Sequence, residues 1–227
     1  MMTRRKRWMA TGESGRMCGM QNWLDIAKDA KGVVFDFGGV ISLPPGDGWA
    51  AYRVAAELGL DRAAFDAGFR KYRQLWDGGF IDGLEMYRRI FADNALPATD
   101  DDLRLLLAAD CEGWVRSFNA DTLALMRTFK SQGRKVGILT NMSVEFRDGW
   151  FIPKAGESIA LADAMVISGE HRVCKPDPAI YRLMEERLGL AGPELVFFDD
   201  SPANVEGALR CGWRAYQFKS DAPPCLT

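Results

Sequence analysis

The sequence predicts an α/β protein: a doubly wound parallel sheet whose first strand is followed by an inserted α-helical unit. Three observations carry this. From about Asp121 to Phe218, short apolar runs alternate with helix-patterned stretches, the arrangement that builds a parallel sheet with covering helices. From Trp49 to about Trp114 the pattern is helical throughout. Ahead of that block stands one β-branched run, Val33-Val34-Phe35, which reads as a buried strand and ends in Asp36-Phe37-Gly38-Gly39.

Taken in order, residues 1–20 are polar and unpatterned and are expected to be unstructured. Gln21 to Ala30 can form a short helix with Trp23, Ile26 and Ala27 on one side. The first strand spans Gly32 to Asp36, and Leu43-Pro44-Pro45-Gly46-Asp47-Gly48 marks a boundary loop. The insertion holds about four helices. The first carries Trp49, Tyr52, Ala56 and Leu58 and stops at Gly59; Asp61 caps the second, which Gly78-Gly79 breaks. The third covers Leu84 to Phe91, and Asp101 or Asp102 opens the fourth. Asp121 then caps a helix stopped by Gly133. Lys135 to Thr140 is a strand, followed by a polar stretch and a strand at Ala164–Ser168. Asp177-Pro178 starts a helix ending near Gly189, Leu195–Phe198 is a strand, Ser201-Pro202 starts the next helix, and Trp213–Phe218 is the last strand.

Bulk properties narrow the function. The 227 residues carry a net charge of −2, so electrostatics favour neither nucleic acid nor an anionic membrane as a partner. There is no apolar run long enough to span a bilayer. Arg4-Arg5-Lys6-Arg7 lacks the apolar segment of a signal peptide. The five cysteines are scattered, which fits a reducing, cytoplasmic setting. A single histidine, His171, excludes multi-histidine metal sites.

The chemistry gathers at strand ends, where open parallel sheets bind ligands. Asp36, Thr140 and the pair Asp199-Asp200 lie at three such ends, and Lys175 precedes a helix in Cys174-Lys175-Pro176-Asp177-Pro178. A carboxylate can attack phosphorus and form an acyl phosphate. A phosphate dianion repels it, so a cation is needed. Asp36, the Gly38 carbonyl and Asp200 can supply oxygen ligands for magnesium. Thr140, Lys175 and the amides of Phe37, Gly38 and Gly39 can hold phosphoryl oxygens.

These residues carry a resemblance. Asp36-Phe37-Gly38-Gly39-Val40, Leu139-Thr140-Asn141, Cys174-Lys175-Pro176-Asp177 and Phe198-Asp199-Asp200-Ser201-Pro202-Ala203-Asn204 resemble the four motifs of the haloacid dehalogenase superfamily. The resemblance covers about residues 31–218. The long interval between Asp36 and Thr140 matches the branch with a helical cap after the first strand. It implies a Rossmann-like core over 31–44 and 115–227, a cap over 45–114, and an N-terminal extension over 1–30. It further implies an aspartyl-phosphate intermediate and Mg²⁺. Carried over, Asp36 is the nucleophile. Thr140 and Lys175 bind phosphate together with Phe37, Gly38, Gly39 and Asn141. Asp36, Gly38, Asp199 and Asp200 surround the metal, and Asn204 orients the last loop. The substrate expected is a small phosphorylated metabolite, and the chain is expected to be a monomer or homodimer.

One departure bears on catalysis. Most phosphatases of the superfamily have a second Asp where this chain has Gly38. Relatives similar to sugar-1-phosphate phosphatases also carry Gly there, and Asp47 is a candidate replacement acid. Two other readings compete. A 2-haloacid dehalogenase also lacks the second Asp, but it attacks carbon without a metal and lacks the acidic pair. A phospho-ligand binding module would have no need for a cluster of repelling carboxylates. Selectivity would fall to insertion residues facing the core, with Trp49, Tyr52, Arg53, Arg70, Arg73 and Trp76 as candidates.

Overall fold

In the computed structural model, which describes residues 22–219, five parallel strands form one sheet in the order β3-β2-β1-β4-β5. They are β1 (Gly32–Phe35), β2 (Lys135–Thr140), β3 (Ala164–Ile167), β4 (Leu195–Asp199) and β5 (Arg214–Gln217). The expectations for residues 1–21 and for the basic cluster lie outside the described residues. β1 is central, and Val33, Val34 and Phe35 are fully buried, which explains a run apolar at every position instead of at alternate ones. The pleat sends alternate side chains to opposite faces. Val33 and Phe35 join Leu125 and Phe129 on one side, while Val34 joins Ile180 and Met184 on the other. In register, Phe35 pairs with Ile138 on β2 and Phe198 on β4, so the carboxyl ends of three strands finish at nearly one level.

The insertion after β1 holds four helices: α1 (Ala50–Glu57), α2 (Arg62–Asp77), α3 (Gly83–Asp93) and α4 (Asp100–Trp114). Helices α5 (Ala120–Ser131), α6 (Pro178–Leu188) and α7 (Pro202–Arg210) cover the sheet. Asp61 accepts from the Ala64 amide and Asp177 from the Ala179 amide, as N-cap spacing predicts. Gly189 ends α6 at φ 65°, the left-handed conformation that suits glycine.

Two local expectations are corrected. The fourth helix opens at Asp100, capped by Thr99, because Thr99 and Asp102 close a reciprocal capping box. Helix α5 is capped by Asn119, not Asp121: the Asn119 side chain accepts from the amides of Asp121 and Thr122. In the polar stretch after β2, Val144–Phe146, Ile152–Lys154 and Gly156–Leu161 are helical and Arg147–Phe151 forms a π-turn. Phe146 and Phe151 are five residues apart, and their rings pack 6.3 and 4.8 Å from that of Phe37. A turn closed by i→i+5 bonds brings that spacing to one side.

Asn119 also fixes the return of the chain from the insertion, because its amide donates to the Ile41 carbonyl at 2.8 Å. Asn119→Ala therefore removes a helix cap at the junction and is expected to destabilise the protein by about 0.5–2 kcal/mol, measured as a shift in the urea unfolding midpoint.

Candidate active site

The chain past β1 turns sharply. The amides of Ile41 and Ser42 converge on the Phe37 carbonyl at 2.9 and 2.8 Å. Gly39 sits at φ +76°, and a Cβ there would meet Asp200 Oδ2 at 2.5 Å. Glycine is thus required twice, by the conformation and by the approach of a carboxylate. Gly38 differs: a Cβ there would touch only Trp114, at 3.4 Å.

This turn places Asp36 beside the ends of β2 and β4. Asp36 Oδ1 accepts from the Phe37 amide at 2.7 Å and lies 2.8 Å from Lys175 Nζ. Oδ2 makes no hydrogen bond among the described residues, so one carboxylate oxygen is anchored and the other is available. Lys175 Nζ also donates to Asp199 Oδ2 at 2.6 Å and to the Leu139 carbonyl at 2.9 Å, using all three of its donors. Asn141 holds the Lys175 backbone from both sides: its amide nitrogen donates to the Lys175 carbonyl and its oxygen accepts from the Lys175 amide. Asp199 is enclosed further by the Ser201 amide and the Asn204 side chain.

Burial pushes the Asp36 carboxyl up to about 8; Lys175 opposes this and the charges of Asp199 and Asp200 add to it. Burial likewise raises Asp200, with Asp199 contributing. Burial acts to lower Lys175, but the carboxylates of Asp199 and Asp36 outweigh it and hold the ammonium above its ordinary range. Asp36, Asp199 and Asp200 each offer an oxygen, all within 4.8 Å of one another. Three carboxylates against one ammonium leave negative charge uncompensated, and the donors are hard oxygens. That set suits a small divalent cation such as magnesium. Asp199 has both oxygens engaged, so Asp36 and Asp200 are the freer donors.

The cluster opens into a cavity of about 210 Å³. Asp36, Phe37, Gly38, Thr140, Asn141, Lys175, Asp200 and Asn204 line it from the core. The structure thus brings the strand-end residues together. From the insertion come Phe69, Arg73, Asp77 and Trp114. Among the selectivity candidates only Arg73 reaches the cavity wall. Trp49, Tyr52, Arg53, Arg70 and Trp76 are not part of it. Asp47 does not reach in either; it pairs with Arg62 at 2.7 Å on the surface, held there by the cation beside it. Asp77 and Trp114 carried no distinguishing signal in the sequence, being ordinary residues of helix patterns.

The insertion is tied down over the cavity. Glu145 Oε2 accepts from Trp76 Nε1 at 2.9 Å and from the Gly83 amide at 2.8 Å. The Ser168 hydroxyl donates to the Asp77 carbonyl at 2.6 Å.

Known proteins resemble this chain in sequence and in fold. Residues 30–212 match the family model of the haloacid dehalogenase-like hydrolases. A protein of Mycobacterium tuberculosis named as a phosphatase is 33% identical over 119 residues, 52% of either chain. This chain therefore spans about half the length of that curated relative. Among solved structures, a predicted haloacid dehalogenase-like family hydrolase of Porphyromonas gingivalis superposes with a TM-score of 0.66 at 20% identity, over 86% of this chain and 93% of that one. A haloacid dehalogenase family enzyme of Bacteroides thetaiotaomicron, in complex with magnesium and inorganic phosphate, superposes at 0.63 with 19% identity, over 85% and 96%. No described helix is long and apolar enough to cross a membrane.

Gly39→Ala is expected to cost about 1–2 kcal/mol for the left-handed backbone and to displace the Asp200 carboxylate. Thermal melts should register the first effect, and titration with Mg²⁺ should register the second as weakened binding.

Proposed function

The chain belongs to the haloacid dehalogenase-like hydrolases, and we propose that it is a Mg²⁺-dependent phosphomonoester hydrolase acting on a small phosphorylated metabolite. One observation carries this reading: a buried carboxylate, Asp36, stands 2.8 Å from Lys175 Nζ and shares a cavity floor with Asp200. The named phosphatase relative and the magnesium and phosphate bound by the Bacteroides enzyme support it.

In this reading an Asp36 carboxylate oxygen attacks phosphorus. The new O–P bond forms as the ester P–O bond breaks, and the leaving oxygen departs and takes up a proton. Water then attacks phosphorus, the acyl phosphate O–P bond breaks, and phosphate leaves with Asp36 restored. Lys175 offsets charge on Asp36 and Asp199 before substrate arrives, and together with Thr140 it faces the phosphoryl oxygens. Asp199, which Asn204 and the Ser201 amide encircle, acts by positioning Lys175. Asn141 fixes the backbone on which Lys175 stands. Asp36, Asp200 and the Gly38 carbonyl would hold Mg²⁺, whose charge screens the approach of a phosphate dianion to a carboxylate. The four-helix insertion serves as the cap, closing the cavity with Trp114 and Arg73. A 2-haloacid dehalogenase reading fits less well, because an intact Asp199-Asp200 pair is suited to a cation that such chemistry does not use.

Asp36→Asn keeps the shape and removes the nucleophile. Phosphate release from p-nitrophenyl phosphate should depend on Mg²⁺ and fall at least roughly 10²-fold in the variant. Activity that persisted near wild-type level would exclude the covalent route.

Gly38 generates a second expectation. With no carboxylic acid there, the leaving oxygen departs nearly as its anion, and general acid help is worth about 10²–10⁴ in rate. Wild type should therefore show a steep dependence on leaving-group acidity across a series of phosphate monoesters. Gly38→Asp, whose Cβ has room beside Trp114, should flatten it. Equal, shallow slopes in both would show that another group carries the proton.

A further inference from the structure

The far wall of the cavity holds charged groups that the proposed chemistry does not use. Arg73, on α2, is largely buried, and its guanidinium carbon stands 4.9 Å from the Phe69 ring centre, 4.8 Å from Trp76 and 5.9 Å from Trp114. Its Nε donates to Asp77 Oδ1 at 2.7 Å. Nη1 lies 4.0 Å from Asp110 Oδ1, and both atoms are buried without a hydrogen bond. Asp110 Oδ2 accepts from Tyr87. Among the described residues, neither Nη2 of Arg73 nor Oδ2 of Asp77 makes a hydrogen bond. Asp77 is fixed in place, since the Ser168 hydroxyl holds its backbone carbonyl from the core. Both Arg73 and Asp77 line the cavity that contains Asp36.

This wall selects by charge and by hydrogen-bond pattern. One guanidinium faces two carboxylates, so it has no positive charge in excess for an anionic substituent. A cationic substituent would have to compete for the aromatic faces that Arg73 already occupies. A neutral hydroxylated group meets neither obstacle. A hydroxyl can donate and accept. Two neighbouring hydroxyls can therefore accept from Arg73 Nη2 and donate to Asp77 Oδ2.

We propose that Arg73 and Asp77 form the leaving-group subsite, and that it takes a neutral polyol with vicinal hydroxyls and discriminates against leaving groups bearing a second anion. The inference rests on the phosphatase reading above.

The test compares primary alkyl phosphates of similar leaving-group chemistry: glycerol 1-phosphate, propyl phosphate and 3-phosphoglycerate, with p-nitrophenyl phosphate as the reference. In wild type, kcat/KM for glycerol 1-phosphate should exceed that for each of the other two alkyl esters by about tenfold or more, since a site built to bond a hydroxyl rejects analogues lacking it. In Asp77→Asn and in Arg73→Lys, which keeps the charge but loses the planar fork, that ratio should collapse to about threefold or less, chiefly through KM. A merely structural role would lower all four substrates together and leave the ratio unchanged, which would overturn the proposal. So would a wild-type preference for 3-phosphoglycerate. If neither variant folds, the wild-type ratios decide alone. Turnover of p-nitrophenyl phosphate with flat alkyl ratios defeats only this inference. Its absence with Mg²⁺ present defeats the phosphatase reading, and this one with it.

Discussion

The structure depends on a buried ammonium. Lys175 Nζ joins the ends of three strands: it donates to the Leu139 carbonyl on β2 and to Asp199 on β4, and it lies against Asp36 just past β1. A buried charge is costly unless paired and hydrogen-bonded, and here every donor has an acceptor. Removing the lysine would leave two carboxylates facing each other in a dry setting, typically a loss of 3–5 kcal/mol when a buried pair is broken. Even with Lys175 in place, the carboxylates outnumber it. That surplus is the feature on which the proposed cation site rests.

Around that point the loops are built for close approach. Gly39 admits Asp200 where any side chain would collide, and Asn141 grips the backbone of Lys175 from both sides. Such groups need no reorganisation when a ligand arrives, which is the property electrostatic stabilisation requires. The helical insertion completes the cavity from the other side. Its anchors away from the two connecting segments include polar contacts: Glu145 to Trp76 and Gly83, Ser168 to Asp77, and Arg172 to the Gly79 carbonyl. They act beside an apolar core that the insertion shares with the sheet, as where Trp76 packs on Phe146.

The parallel sheet, the order of its strands along the chain and the helical insertion were legible because apolar periodicity reports burial directly. The helix starts at Asp61 and Asp177-Pro178 were legible for the same kind of reason: an N-cap is a contact within three residues. Where two polar residues competed for that contact, the sequence did not discriminate, as Thr99 and Asn119 show. The π-turn at Arg147–Phe151 was also hidden, since it follows from two phenylalanines packing on Phe37, a residue more than a hundred positions away.

The same division holds at the site. By itself the sequence determined that Asp36, Thr140, Lys175 and Asp199-Asp200 stand at strand or helix junctions, and with this their convergence, because parallel strands deliver their carboxyl ends to one edge. Only the tertiary structure decided which insertion residues meet them. Arg73 enters the cavity and Arg53 and Arg70 do not; Asp77 enters, while Asp47 pairs with Arg62 on the surface. Strand ends are placed by backbone hydrogen bonding, which any sequence of the right pattern makes alike. The facing of a helix across a cavity is placed by side-chain contacts distant in the chain, which no local pattern encodes.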